Sequence, residues 1–540
     1  MARTLYRIYL YFVSLVLLIV ASVGLTILLT NLLLQTPLHG QYESPPDKSS
    51  LVQQVVLAAT ALVVSLALGG LHYWLIRRDI AEDPNAARGA VRSLALNFAQ
   101  AVTAIVALST GTSALSDVGR NNGYVVSATF ATAIVAVVLF VLLQLERGRS
   151  QPAGGGPRAL ELIHLYLLQV ILVTVAAIYA WVTAVGDSVT AIFASAGAIP
   201  NPCADQNSHY YVYPYNGPTG PGYQQPTCDF PSILAGEWLS LLWMAALLAL
   251  YIWLARNDRD SVLRHIAHLL GFGVGAIFTI IGIGQAANFV LQGAFGAQSL
   301  SASVFVYHFN FIPPLLIGAA VAWGHRFQLE RAASASRTGR VGANLTTLAV
   351  ATLILGVPFY IGVVLVLQGL IERLVPGGSL PDAATWAGDL SVLAAGIAYP
   401  VAAQLLRRST TETAPIGPRR AIVLAGLAAG ALMVAIGGVA ALYLVISAQL
   451  GSPIGYQWPE QARGAGAVVL VGLFLVGLHL YRLLTDRKPV EPARPVPPQV
   501  PTAPTATIES VLDDLLAGRN TREQAAARLR GMGVGQPSGR

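Results

Sequence analysis

From Ile8 to Leu34 the chain reads IYLYFVSLVLLIVASVGLTILLTNLLL, without one charged residue. As a helix this run is about 40 Å long at 1.5 Å per residue, more than the roughly 30 Å of a bilayer's hydrocarbon core. Lipid offers no hydrogen-bond partner, so a spanning segment must satisfy its own backbone, and a helix does. Runs of this kind recur along the chain. They fall near 8–34, 52–76, 91–115, 125–145, 160–184, 233–254, 266–292, 305–324, 346–370, 390–406, 421–449 and 464–484, the tenth being the shortest. Only 11% of the 540 residues are charged, against about 25% in soluble domains. The fold class expected is therefore an all-α integral membrane protein with about twelve transmembrane helices.

The charges orient these spans. Of 33 Lys and Arg residues, only Lys48, Arg120, Arg373 and Arg463 fall on one side of the alternating loops. The rest share the other side, which the positive-inside rule makes cytoplasmic. Both termini are then cytoplasmic, in a multi-pass protein of the cell membrane. The net charge of +7 is a topological signal, so no nucleic acid partner is expected. The stretch GGLHYWLIRRD, Gly69–Asp79, reads as the inner exit of the second span. Tyr73 and Trp74 suit the headgroup level, and Arg77 and Arg78 suit lipid phosphates. The alternative makes His72 a metal or haem ligand. The first run exceeds the 7–15 residues or so of a signal-peptide core and lacks an A-x-A site, so it is expected to be retained.

Each even-numbered span ends in a related basic exit, and the unit is a helical hairpin. Six hairpins group into three pseudo-repeated four-helix modules, at 1–150, 156–332 and 337–488. All begin and end inside, so they are parallel repeats. Cys203 and Cys228, the two cysteines, sit in the outer loop 199–232 of the second module. A pair in an oxidising compartment reads as a disulfide that staples a Tyr-, Pro- and Gly-rich loop. A Pro-rich linker, 489–506, follows the third module and is semi-rigid. In 507–532, Ile508, Val511, Leu512 and Leu515 share one helical face, and Ala525, Ala526 and Leu529 another, which gives a cytoplasmic helical hairpin.

Two resemblances follow. RTLYRIYLYFVSLVLLIVASVGLTILLTNLL from Arg3, with the hairpin exit LHYWLIRRD, resembles the bacterial membrane domain of unknown function numbered 5671. The likeness is clearest over 1–150 and fainter in later modules; spans 10 and 12 lack the exit Trp. It implies a charge-poor, multi-helix domain and no activity or functional residues. The hairpin with LLAGRNTREQA resembles short C-terminal (SHOCT) domains in pattern, which implies oligomerisation or docking of a protein partner.

Ionisable residues inside spans are costly and are functional candidates by default. Glu161, His164, His265, His268 and His479 lie near inner ends and read as headgroup contacts. The densest polar group is Gln285 and Asn288 in the seventh span with His308 and Asn310 opening the eighth. Pro313-Pro314 is expected to break that span near mid-membrane, with Gln285 or Asn288 serving the freed carbonyls; the alternative is a polar intramembrane site for a small solute or ion. Pro358 and Pro400 are expected to kink the third module. Glycines four apart, Gly271/Gly275 and Gly426/Gly430, allow close helix contact. No Ser-His-Asp set, paired carboxylates, phosphate loop or zinc-ligand spacing is apparent, so no enzyme, cofactor or metal is expected. The leading reading is a structural or assembly protein with membrane lipids as neighbours and a partner-docking tail. A transporter or channel, and a sensor using the outer loop, are the alternatives. An impermeant reagent applied to intact cells should label a tag at Tyr213 and spare one at the carboxyl end; labelling of both would reverse the topology.

Overall fold

The structure is a computed structural model that describes every residue except 1, 37–44, 121–125, 151–157, 198–229, 259–260, 299–310, 334–336, 375–380, 410–416, 450–457, 486–507, 517–520 and 532–540. Among the described residues there are helices and no strands. The helices are α1 (Ala2–Leu33), α2 (Lys48–Glu82), α3 (Ala90–Arg120), α4 (Val126–Ser150), α5 (Arg158–Tyr179), α6 (Val185–Ser195), α7 (Phe230–Leu254), α8 (Val262–Ala294) and α9 (Ile312–Ala333). Then come α10 (Arg337–Leu374), α11 (Ala383–Ala395), α12 (Tyr399–Ser409), α13 (Gly417–Gln449), α14 (Trp458–Thr485), α15 (Ile508–Leu516) and α16 (Arg522–Gly531). The chain forms two compact units, Met1–Leu480 and Tyr481–Arg540.

Eleven stretches of described helix are long and apolar enough to cross a membrane. The expected span at 305–324 is not among them. Its described part begins at Phe311, with the helix from Ile312, and its apolar run stops at Trp323, before His325 and Arg326. Pro313 and Pro314 sit in the first turn of α9 as described, where no helical N–H is needed. Both are buried. α9 nevertheless returns the chain, because it packs along α8 from Gly282 and Leu315 at one end to His268 and His325 at the other.

Two further spans differ from expectation. The fifth runs to Ser195, not 184, through a π-turn at Ala180–Ala184 that joins α5 to α6. The tenth is broken at Gly396–Ala398, between α11 and α12. There Gly396 lies against the Phe359 backbone, so an added Cβ would sit 2.3 Å from the Phe359 nitrogen. Pro400 opens α12, whereas α10 stays helical through Pro358.

The main apolar core joins α3, α4, α5, α7 and α8 through Leu108, Phe140, Leu168, Leu172, Met244 and Tyr251. It crosses the expected boundary between the first two modules. Large apolar side chains such as Val63, Leu66, Ile436 and Val439 face outward. Faces of this kind suit lipid and would be aggregation patches in water.

Lipid is as apolar as leucine, so close packing and hydrogen bonds hold the helices together. Two hairpins pack alike. A Cβ on Gly271 of α8 would fall 2.4 Å from the His325 ring of α9, and one on Gly426 of α13 would fall 2.3 Å from the His479 ring of α14. One turn further along, Gly275 lies against Gly318, and Gly430 against Gly472. Each histidine stands seven residues after the facing glycine of its own helix.

In the second unit α15 and α16 pair, with Val511 and Ala525 buried. Thr521 and Gln524 exchange capping bonds at the start of α16, at 3.0 and 3.3 Å.

Gly426→Val should lower the melting temperature of the purified chain in detergent, and a second change, His479→Ala, should restore part of the loss. Gly342→Ala, whose Cβ meets nothing within 4 Å, should be neutral or gain up to about 1 kcal/mol in helix propensity. Equal effects at the two glycines would refute the packing argument.

Candidate functional site: a buried polar layer at the arginine-rich helix ends

The first span begins with an arginine and the second ends with two aspartates, which lets one clamp the other. Arg7 Nε donates to Asp79 Oδ2 at 2.7 Å, and its Nη2 donates to Asp83 Oδ2 at 2.7 Å. The guanidinium holds the Asp83 carboxyl below the usual carboxylate range. The next hairpin repeats the device. Arg92 Nη2 at the start of α3 donates to Glu146 Oε1 at the end of α4, 2.8 Å away. The other Glu146 oxygen accepts from Tyr73 of α2 at 3.1 Å.

The layer then passes into the buried interior. Arg147 Nη2 donates to Asn97 Oδ1, and Glu161 lies 3.7 Å from the same guanidinium. His164 Nδ1 is 3.0 Å from Asn97 Oδ1, and its Nε2 is 3.2 Å from the Tyr251 hydroxyl. The Asn97 amide nitrogen is committed to the Ser93 carbonyl at 2.8 Å, so its oxygen is the acceptor. His164 therefore donates through Nδ1, and in its neutral form accepts from Tyr251 through Nε2. Asn97, Arg147, His164 and Tyr251 come from α3, α4, α5 and α7, and all are buried. Tyr166 continues the layer by donating to Asp258 Oδ2 at 2.7 Å, and Arg264 Nη1 donates to the Asp258 carbonyl at 2.9 Å. It ends at His268 and His325, whose Nδ1 atoms are 3.1 Å apart, so one ring donates to the other.

Several residues expected at the headgroup are thus placed elsewhere. His164 and His479 are buried, and His72 is buried with Nδ1 2.8 Å from the Leu68 carbonyl. Tyr73 and Trp74 are exposed, as a headgroup position requires. Of the expected quartet, Gln285 and Asn288 are described, both on α8. Gln285 is exposed, and the carbonyls that Pro313 and Pro314 free lie at 309 and 310, outside the described residues. Asn288 accepts from Gln292 of its own helix at 3.3 Å. His308 and Asn310 lie outside the described residues, as do Cys203 and Cys228. Among the described residues no group of three or more His, Cys, Asp or Glu side chains could hold a metal ion.

Asn97, Arg147 and Tyr251 were missed as a set because they meet only across four helices. Two buried carboxylates were also passed over, Asp187 after the π-turn and Glu237 in α7. Their neighbours touch, since Trp238 Nε1 donates to Ser188 Oγ at 2.9 Å. Glu237 falls inside a span legible from the sequence, and that alone marked it.

Residues 7–121 match the family model described as a domain of unknown function, DUF5671. Over these residues the chain is similar to that family. The matched stretch supplies Arg7, Asp79, Asp83, Arg92 and Asn97 to the layer, whereas Glu146, Arg147, His164 and Tyr251 lie beyond it. No curated protein and no solved structure matches the chain.

Asn97→Leu removes the acceptor shared by Arg147 and His164 and should cost about 2–3 kcal/mol, since it strands a buried charged donor. Adding Arg147→Met should recover part of this. Thermal unfolding in detergent reads both; strictly additive losses would mean the two side chains are uncoupled.

Proposed function

We propose that the protein is a non-enzymatic structural or assembly protein of the cell membrane that docks a partner through its C-terminal hairpin. One observation carries this reading: the buried Asn97–Arg147–His164–Tyr251 cluster spends its polar atoms on tying four helices together. A transport path would instead present such groups to a substrate. The arginine asymmetry supports cytoplasmic termini, and the ion pairs of the first four helices gather at that same helix end.

Three parallel modules, 1–150, 156–332 and 337–488, complete the proposal. The matched glycine–histidine packing of α8 with α9 and of α13 with α14 supports them. A Cys203–Cys228 disulfide would staple the outer loop. The tail, with its Pro-rich linker and short hairpin, is the docking element, because so small a helical pair buries little of its own surface.

The full chain, purified in mild detergent, should retain a specific protein partner or a second copy of itself. The chain ending at Lys488 should lose that partner while melting at the same temperature. Retention of the same partner by both forms would remove the docking role.

A further inference from the structure

A cleft of about 690 Å³ lies between α5, α7, α8 and α9. On α5 its lining runs from Tyr166 to Ala180, about 21 Å at 1.5 Å per residue. Half of a roughly 30 Å hydrocarbon core is about 15 Å, so the cleft runs the depth of one leaflet. Its deeper part is alkyl, walled by Val173, Ala177, Leu248, Ile252, Ile317 and Val321. His268, His325 and Gln328 line the other end. The hydrogen bonds there fix where the protons sit. Arg264 Nε, a donor only, is 3.5 Å from His268 Nε2, so the neutral His268 ring carries its proton on Nδ1. That Nδ1 donates to His325 Nδ1 at 3.1 Å, which leaves the His325 proton on Nε2. Among the described residues His325 makes no other hydrogen bond, and Gln328 makes none. Tyr166 and Gln169 of the same lining donate elsewhere, to Asp258 and to the Tyr251 carbonyl. Two donors at the polar end are therefore uncommitted, the His325 Nε2–H and the Gln328 amide.

We propose that this cleft binds a glycerolipid through its ester carbonyls, with His325 Nε2 and the Gln328 amide as donors and one acyl chain along α5. Depth supports this. The apolar run of α9 stops at Trp323, two residues before His325, so the donors stand where hydrocarbon gives way to headgroup. The ester groups of a glycerolipid occupy that same boundary. His325 and Gln328 are three residues apart on α9, neighbours on one helix face, which suits the two carbonyls of a diester. The His325 ring is also held at a fixed depth, because a Cβ on Gly271 would fall 2.4 Å from it. Chemistry narrows the class further. A neutral N–H at the edge of the lipid gains from an acceptor and needs no counter-charge, so selection rests on the ester and not on headgroup charge. A hydrocarbon would fill the alkyl wall and leave both donors unmet. A small water-soluble ester would meet the donors and leave the wall unfilled. The site does not depend on the docking role of the tail.

The test uses the full chain, delipidated in detergent, and three probes. They are a diester phosphatidylcholine, its diether analogue with the same headgroup and chain length, and glycerol triacetate. Native mass spectrometry and lipid-dependent melting read the binding. The diester should bind about tenfold more tightly than the diether, about 1.4 kcal/mol, and millimolar glycerol triacetate should not displace it. His325→Phe keeps a ring over Gly271 and removes the donor, so it should abolish most of that preference. Gln328→Leu should reduce it; this side chain makes no hydrogen bond among the described residues, so the variant carries the test if His325→Phe melts below the parent. Gly324→Phe should weaken both lipids, because Gly324 lines the cleft and a Cβ there meets nothing within 4 Å. Equal binding of diester and diether by the unaltered chain would overturn the proposal whatever the variants do. Full displacement by glycerol triacetate would also overturn it, as would an undiminished ester preference in variants that melt like the parent.

Discussion

A guanidinium buried between helices must be met by an acceptor, because neither lipid nor alkyl packing can supply one. That requirement organises the described structure. Arg7, Arg92 and Arg147 each reach from one helix end to the next, and the acceptors they find fix which helices are neighbours. Apolar packing alone would leave many arrangements of near-equal energy, since a lipid-facing leucine loses little by facing another leucine. The polar layer removes that degeneracy. It also joins the stretch matched by DUF5671 to α4, α5 and α7, so the core built around Tyr251 crosses the boundary expected between the first two modules.

The spans were legible wherever an uncharged run exceeded a bilayer's thickness. They became illegible where local chemistry departed from a plain helix. Pro313-Pro314 looked like a mid-span break because the apolar run was taken to start at 305, whereas α9 begins at Ile312. The fifth span was cut short because Asp187 resembles a loop residue when its burial is unknown. The break in the tenth came from Gly396, whose close approach to Phe359 is a tertiary fact that no spacing announces.

The site was less legible than the fold. A histidine near a helix end reads the same in sequence whether it meets a lipid phosphate or an asparagine on another helix. His164 took the second course, whereas Tyr73 and Trp74 stay exposed. Asn97 lay within a recognisable span and was overlooked as an ordinary packing residue. Its partners, Arg147 and Tyr251, stand 50 and 154 positions further on, and periodicity carries no information across such distances.

The glycine seats for His325 and His479 have a consequence for biogenesis. A hairpin displaced by one turn toward Ala267 or Ile422 would drive an imidazole into a neighbour with a Cβ, so each of these pairs gauges its own alignment in that direction while still alone in the bilayer. Correct threading could then be proofread hairpin by hairpin as synthesis proceeds, before any later segment has left the translocon.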